Sequence, residues 1–248
     1  MLQQTSVARV LPKYEAFIEE FPTPGHMANA PLGKALALWS GLGYPRRCRN
    51  LRDTAILLER DFGGSMPSTL DELLALPGIG QYTARAILAF AYRQDVAVVD
   101  VNVSRVLSRL EGEPLKARAL QQLADLLVPE GLGWDWNQVM MDFGARHCTV
   151  RSPQCALCPV KKQCTWHGVG EDPAPLSAGA SKPQAKFEGS DRQARGRAMR
   201  AVGNGIATQK VIIRAMSLEH DVARAAKLID ALVNEGLLLR SGARFTLP

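Results

Sequence analysis

The sequence is short of aromatic residues, which make up 6% of it, of cysteine, with five in 248 residues, and of long apolar runs. Each shortage removes a class of answer. Few aromatics among abundant helix formers argue against a β-rich fold. No run approaches the ~20 apolar residues of a membrane-spanning helix, and Met1-Leu2-Gln3-Gln4 does not open a signal peptide. A cytosolic protein with no membrane partner is therefore expected. Acidic residues are outnumbered, 24 against 30 lysines and arginines, and the net +6 is spread over many arginines. That balance favours a polyanionic partner, most simply nucleic acid. Nothing repeats internally, and a chain that is 46% hydrophobic can bury the core of one or two domains.

The scarce cysteines are unevenly placed. Four lie in the order Cys148-x6-Cys155-x2-Cys158-x5-Cys164. Four thiolates closing on one centre suit a [4Fe–4S] cluster or a structural zinc. Two disulfides are the plain alternative, but a cytosolic chain with its cysteines confined to one loop does not favour them. The unequal gaps of six and five point to iron–sulfur rather than zinc, whose knuckles usually repeat the x2 spacing. Cys48 stands alone and reads as a small buried or half-buried hydrophobe.

Most of the first 165 residues read as short helices broken by Gly and Pro. Val7, Val10, Leu11, Tyr14, Phe17 and Ile18 recur at helical spacing until Phe21-Pro22-Thr23-Pro24. Further helices are expected over 32–40, from Pro45 with Leu51, Ala55 and Leu58 on its apolar face, and from the capping box Thr69/Glu72. Others fit 82–92, 101–110, 115–127 and 136–146. Residues 168–190 are rich in Pro, Ala, Gly, Ser and Lys and read as a linker. Beyond it, Arg192, Arg195 and Arg200 share a helix surface, and Val222, Ala226, Ile229 and Val233 mark the core face of a later helix. Gly236 ends that helix, and 237–239 and 244–247 flank Ser241-Gly242 as a hairpin. Helices followed by a hairpin suggest a small winged-helix-like module.

Two sites could carry chemistry. Leu76-Pro77-Gly78-Ile79-Gly80 lies between two helices, where Gly78 and Gly80 permit a tight turn whose N–H groups can meet a phosphate. An ordinary corner with a glycine C-cap would look the same. The run Val96-Ala97-Val98-Val99 delivers Asp100 to the start of the next helix. Asp100 is a good N-cap there, and a carboxylate so fixed could also stabilise a cationic sugar as its base departs.

These segments, with Met1-Leu2-Gln3-Gln4-Thr5, Gly41-Leu42-Gly43-Tyr44, Val99-Asp100-Val101-Asn102-Val103 and the cysteine loop, fall in the order found in the endonuclease III superfamily. The Leu-Gln-Gln-Thr start and Met140-Met141-Asp142-Phe143-Gly144-Ala145 resemble its MutY branch, adenine DNA glycosylases acting on A opposite 8-oxoguanine or G. The resemblance covers residues 1 to about 165. It implies an all-α fold with the helix-hairpin-helix element: a six-helix barrel lobe over 1–112 and a cluster lobe over 113–167, with the active site in the groove between them. The linker 168–190 and the module 191–248 would follow. It implies Asp100 as the catalytic aspartate, and Tyr82 where lyase members carry a Schiff-base lysine, hence a monofunctional glycosylase. Gln4, Thr5, Tyr44, Gly78, Gly80 and Asn102 would meet DNA, with Gln4 and Tyr44 as wedges beside the flipped base. Cys148, Cys155, Cys158 and Cys164 would hold the [4Fe–4S] cluster.

The partner expected is double-stranded DNA with an A:8-oxoG or A:G mispair, bound by a monomer in the nucleoid-associated cytoplasm. A thymine or uracil glycosylase of the same fold is the near alternative, and a non-catalytic Fe–S DNA-binding protein the distant one. The family's general-acid glutamate lies two residues before the Met that is here Met1, so the chain as written is expected to excise adenine poorly. Residues 191–248 are too few for the nucleotide-hydrolase-like domain of longer relatives and are expected to add phosphate contacts.

Overall fold

The computed structural model describes residues 1–2, 5–180 and 185–248. Twelve α-helices run through them: α1 Val7–Glu20, α2 Pro24–Asn29, α3 Leu32–Trp39, α4 Pro45–Asp61, α5 Leu70–Ala75 and α6 Gln81–Ala86, then α7 Val101–Glu111, α8 Ala117–Leu126, α9 Gly133–Arg146, α10 Asp191–Gly203, α11 Gln209–Met216 and α12 Val222–Asn234. Three short strands, β1 Ala207–Thr208, β2 Leu239–Ser241 and β3 Arg244–Thr246, form one antiparallel sheet in the order β1-β3-β2. Among the described residues no helix is long and apolar enough to cross a membrane. The fold is the expected all-α one with a small C-terminal hairpin.

The chain divides into two compact units. The first comprises Met1–Pro67, Leu76–Gly78 and Gln184–Pro248; the second comprises Ser68–Ala75 and Ile79–Pro183. These boundaries differ from 1–112, 113–167 and 191–248, and the reason is a shared core. One apolar cluster takes Phe17, Phe21, Leu36 and Trp39 from the N-terminal helices together with Ile212, Ile229, Leu232 and Phe245 from the C-terminal segment. Phe245, 1% exposed, lies at the centre of the β-sheet order. The Gly33 N–H meets the Pro248 carbonyl, a contact that leaves no room for a Cβ.

Within this unit, α10, β1, α11, α12 and the β2–β3 hairpin follow one another in the winged-helix order. Thr23 begins α2 by accepting the His26 N–H at 3.4 Å, with Pro24 in the first turn, a start the sequence reading passed over. Two apolar faces are assigned differently. On α1 the structure buries Val10 and Phe17 and leaves Val7, Leu11, Tyr14 and Ile18 exposed. On α12 the core face is Ala225, Leu228, Ile229 and Leu232, whereas Val222 is 53% exposed. Each helix is apolar on adjacent faces, and only the packing partner selects one. Leu51 on α4 is exposed, while Cys48 is fully buried and its thiol is pushed up to about 12 by that burial.

In the second unit, Thr69 and Glu72 close the capping box at α5, hydroxyl to carboxylate at 2.5 Å. After α6 the helix widens into a π-helical turn over Ile87–Ala91. Residues 95–99 run extended without a partner strand, and side chains take over the ladder. Asn137 of α9 accepts the Val98 N–H at 2.7 Å and donates to the Val96 carbonyl at 2.8 Å. Asp125 of α8 accepts the Ala97 N–H at 3.0 Å and pairs with Arg85 at 2.6 Å. Residues 168–180 are not a loose tether: Ser104 donates to the Ala178 carbonyl, and Leu115 N–H to Ser177 at 3.0 Å.

Candidate active site and cysteine loop

Asp100 lies where the extended run becomes α7. One carboxylate oxygen accepts the Asn102 and Val103 N–H groups, both at 2.8 Å, and the other accepts the Asn102 side-chain amide at 2.9 Å. Asn102 is held in turn by Arg105, whose guanidinium donates to its Oδ1 at 2.9 Å and to the Cys148 carbonyl at 2.7 Å. Gly144 of α9 permits this approach, since a Cβ there would stand 2.6 Å from the Asn102 Cβ. The carboxylate is thus fixed in position by three N–H donors, the arrangement an electrostatic role requires.

Tyr82, at the start of α6, is 42% exposed. Burial of its hydroxyl end, and next the Asp100 carboxylate, push its phenol above the ordinary tyrosine value. It is neutral at physiological pH and has no amine with which to form an imine.

In the hairpin only one glycine is demanded by the backbone. Gly78 has φ +76°, and a Cβ on it would meet Asn50 Nδ2 at 2.5 Å. Gly80 is extended, with φ −102° and ψ −179°, and open space where its Cβ would be. Gly78→Ala is therefore expected to cost about 2 kcal/mol, from left-handed strain plus the clash. Gly80→Ala is expected to leave the melting temperature unchanged and to weaken DNA binding if the backbone there approaches a phosphate. Thermal melting and a DNA titration of both variants check this contrast.

All four loop cysteines are free thiols, and they line one pocket together with Arg109, His147, Trp166 and His167. Among the described residues no group of three ligating side chains is drawn tightly enough for a single ion. N–H donors reach the sulfurs: Arg109 Nη1 lies 3.3 Å from Cys148 Sγ, and the His167 N–H 3.3 Å from Cys164 Sγ. Four thiols on one pocket, two of them with N–H donors aimed at the sulfur, fit a thiolate-ligated centre carrying negative charge. Arg109 is 1% exposed; it grips Asp172 at 2.6 and 3.1 Å, donates to the Thr149 carbonyl at 2.8 Å, and stacks 4.5 Å from the Trp166 ring centre.

Residues 1–130 match the family model described as the HhH-GPD superfamily of base excision DNA repair proteins. The chain is 36% identical over 252 residues to the adenine DNA glycosylase of Mycolicibacterium smegmatis, spanning all of this chain and 84% of that one. The chain belongs to the HhH-GPD superfamily. Among solved structures, a thermostable thymine-DNA glycosylase is similar at TM-score 0.64 and 31% identity, over 67% of this chain and 79% of that one. A trapped endonuclease III–DNA covalent intermediate is similar at TM-score 0.59 and 28% identity, over the same shares.

Of the remaining expected DNA residues of this HhH-GPD chain, Thr5 and Tyr44 lie in the first unit. Thr5 donates to the Leu42 carbonyl at 3.2 Å, and Trp39 to the Gly43 carbonyl at 2.9 Å, bracing the 41–44 turn. Tyr44 ends that turn in the left-handed region, φ 48° and ψ 60°, with Arg47 5.2 Å from its ring centre. Gln4 lies outside the described residues. Sequence reasoning missed Arg105 and Arg109, whose spacing of four on α7 was the available signal. Asp172 carried none, sitting in what read as linker.

Proposed function

We propose that this protein is a monofunctional adenine DNA glycosylase, cleaving the N-glycosidic bond of an adenine flipped from duplex DNA opposite 8-oxoguanine or guanine. The observation that carries the reading is Asp100, held by three N–H donors, with the neutral phenol of Tyr82 where a lyase would place an amine. In a dissociative departure the sugar becomes oxocarbenium-like, and Asp100 stabilises that charge across a short gap or by transient capture. Asn102 fixes the carboxylate, and the hairpin at Gly78–Gly80 grips the backbone without reading sequence. The match to an adenine DNA glycosylase runs through the C-terminal module, whereas the thymine-DNA glycosylase is similar over two thirds of the chain.

Cys148, Cys155, Cys158 and Cys164 hold a [4Fe–4S] cluster in this proposal. Each thiolate of a cubane takes a different iron, so the sulfurs need not gather as closely as around one zinc. When bound, the cluster ties the loop into a rigid body; Arg151, Lys161 and Lys162 are exposed around it and available to phosphates. Protein purified without oxygen is expected to carry about four irons and four sulfides per chain. Duplexes with A:8-oxoG, A:G and T:G, treated with the protein and then alkali, test the activity. Strand breaks on the adenine duplexes alone, with no borohydride-trapped adduct, are expected. Breaks at T:G with none on the adenine duplexes would overturn it.

A further inference from the structure

Ala97 is the joint at which three elements of the second unit meet. It is 2% exposed and lies in the extended run that leads to Asp100. Its N–H donates to Asp125 Oδ1 at 3.0 Å, and its carbonyl accepts from Gln121 at 3.2 Å and from Arg85 Nη1 at 3.4 Å. Gln121 and Asp125 belong to α8, and Arg85 to α6. The same Asp125 oxygen also accepts Arg85 Nη1 at 2.6 Å and the Gln121 amide at 3.2 Å. One residue further on, Asn137 of α9 accepts the Val98 N–H at 2.7 Å. Only Val99 then separates the clamped backbone from Asp100.

Tyr82 and Asp100 stand equally far along the chain from this joint. Tyr82 precedes Arg85 by three residues, nearly one turn of α6, and Asp100 follows Ala97 by three. Stability alone does not account for Arg85. Its side chain is 13% exposed, and its Nε is buried with no hydrogen-bond partner among the described residues. An unmatched buried donor is destabilising, and an apolar side chain could pack there without that cost. Such a local conflict is expected where a residue serves a site rather than the fold.

We propose that Arg85 is a positioning residue: through Asp125 and the Ala97 carbonyl it fixes the helix that presents Tyr82 against the run that presents Asp100. It touches neither DNA nor the reacting atoms. Its work is to hold the carboxylate at the spacing that charge stabilisation requires. The proposal rests on the glycosylase reading for what that spacing serves.

Two replacements in the full chain separate position from packing. Arg85→Met keeps the apolar stem and loses the guanidinium, whereas Arg85→Lys keeps a cation that can reach Asp125. Arg85→Met is expected to slow single-turnover excision on an A:8-oxoG duplex by about 10- to 100-fold, the scale of a small misplacement of a reacting group. Its affinity for a duplex carrying an uncleavable adenine analogue should match the parent's, and Arg85→Lys should recover most of the rate. Asp125→Asn, which can still accept the Ala97 N–H but loses the ion pair, should show a weaker form of the same defect. Amide exchange reads the displacement without any reaction. The Asn102 and Val103 N–H groups, both held by Asp100, should exchange faster in Arg85→Met and at the parent's rate in Arg85→Lys. Unchanged exchange in Arg85→Met would overturn the proposal, as would lysine doing no better than methionine. Failure of the parent itself to excise adenine would count against the glycosylase reading instead, and the exchange difference would still stand or fall with Arg85. Melting curves of each variant exclude loss of fold as the cause.

Discussion

Asp100→Asn is expected to slow adenine excision by at least about 10²- to 10³-fold, the scale on which a preorganised electrostatic group acts. The same substitution should barely move the melting temperature. Asparagine caps a helix about as well as aspartate, and its side-chain oxygen can still accept the two backbone N–H groups at the start of α7. What is lost is the negative charge that the proposed role requires, together with the oxygen that accepts the Asn102 side-chain amide. Single-turnover excision on an A:8-oxoG duplex, set beside a melting curve, separates the two roles of the carboxylate. A variant as fast as the parent would remove Asp100 from the chemistry and leave it a cap.

The largest loss of stability is expected from Arg109→Ala. That guanidinium is buried, and its removal strands the Asp172 carboxylate and two loop carbonyls, at Thr149 and Val150. Breaking a buried pair from one side costs roughly 3–5 kcal/mol, which in a chain of this size corresponds to a melting shift on the order of 10 °C. Iron content should fall in parallel, because the same side chain reaches Cys148 Sγ. Asp172→Asn probes the other partner through pH. Burial disfavours the ionised form of Asp172, but the bonds from Arg109 and from the Ala174 N–H outweigh it and hold the carboxyl below its usual range. A depressed carboxylate stabilises the fold above its unfolded value, about pH 4. That contribution is lost as pH falls through the lower folded value. The melting difference between parent and Asp172→Asn should accordingly be full at neutral pH and shrink in acid. A difference that grew in acid would contradict the assignment.

Much of this fold could be read in the residues because local chemistry sufficed. The capping box at Thr69, the Asp100 cap and the proline at the start of α4 each satisfy helix ends with groups written into the sequence. Cys48 is buried as its isolation suggested. Long-range partners decided the rest. Arg105 and Arg109 look like surface charges until the cysteine loop brings carbonyls to them, and Asp172 has meaning only against Arg109. The phase of α12 depended on which of two apolar faces met the core, and the six residues of α2 are too few for periodicity to register. The π-helical turn at Ile87–Ala91 leaves no mark that composition or spacing can detect. Of the candidate site, the carboxylate, the phenol and the thiols stood out by residue type and order, whereas the arginines joining the carboxylate to the cysteine loop did not.

The division of the chain also sets an order of events during synthesis. The second unit is nearly contiguous in sequence and is complete once residue 183 has left the ribosome. The first unit joins residues from both ends, so Phe17, Leu36 and Trp39 wait for Ile212, Ile229 and Phe245 to be made before their core can close. Through most of translation the opening helices are therefore a sticky surface without a partner, open to chaperones and to aggregation. The cysteine loop, by contrast, can meet iron while the C-terminal module is still being assembled.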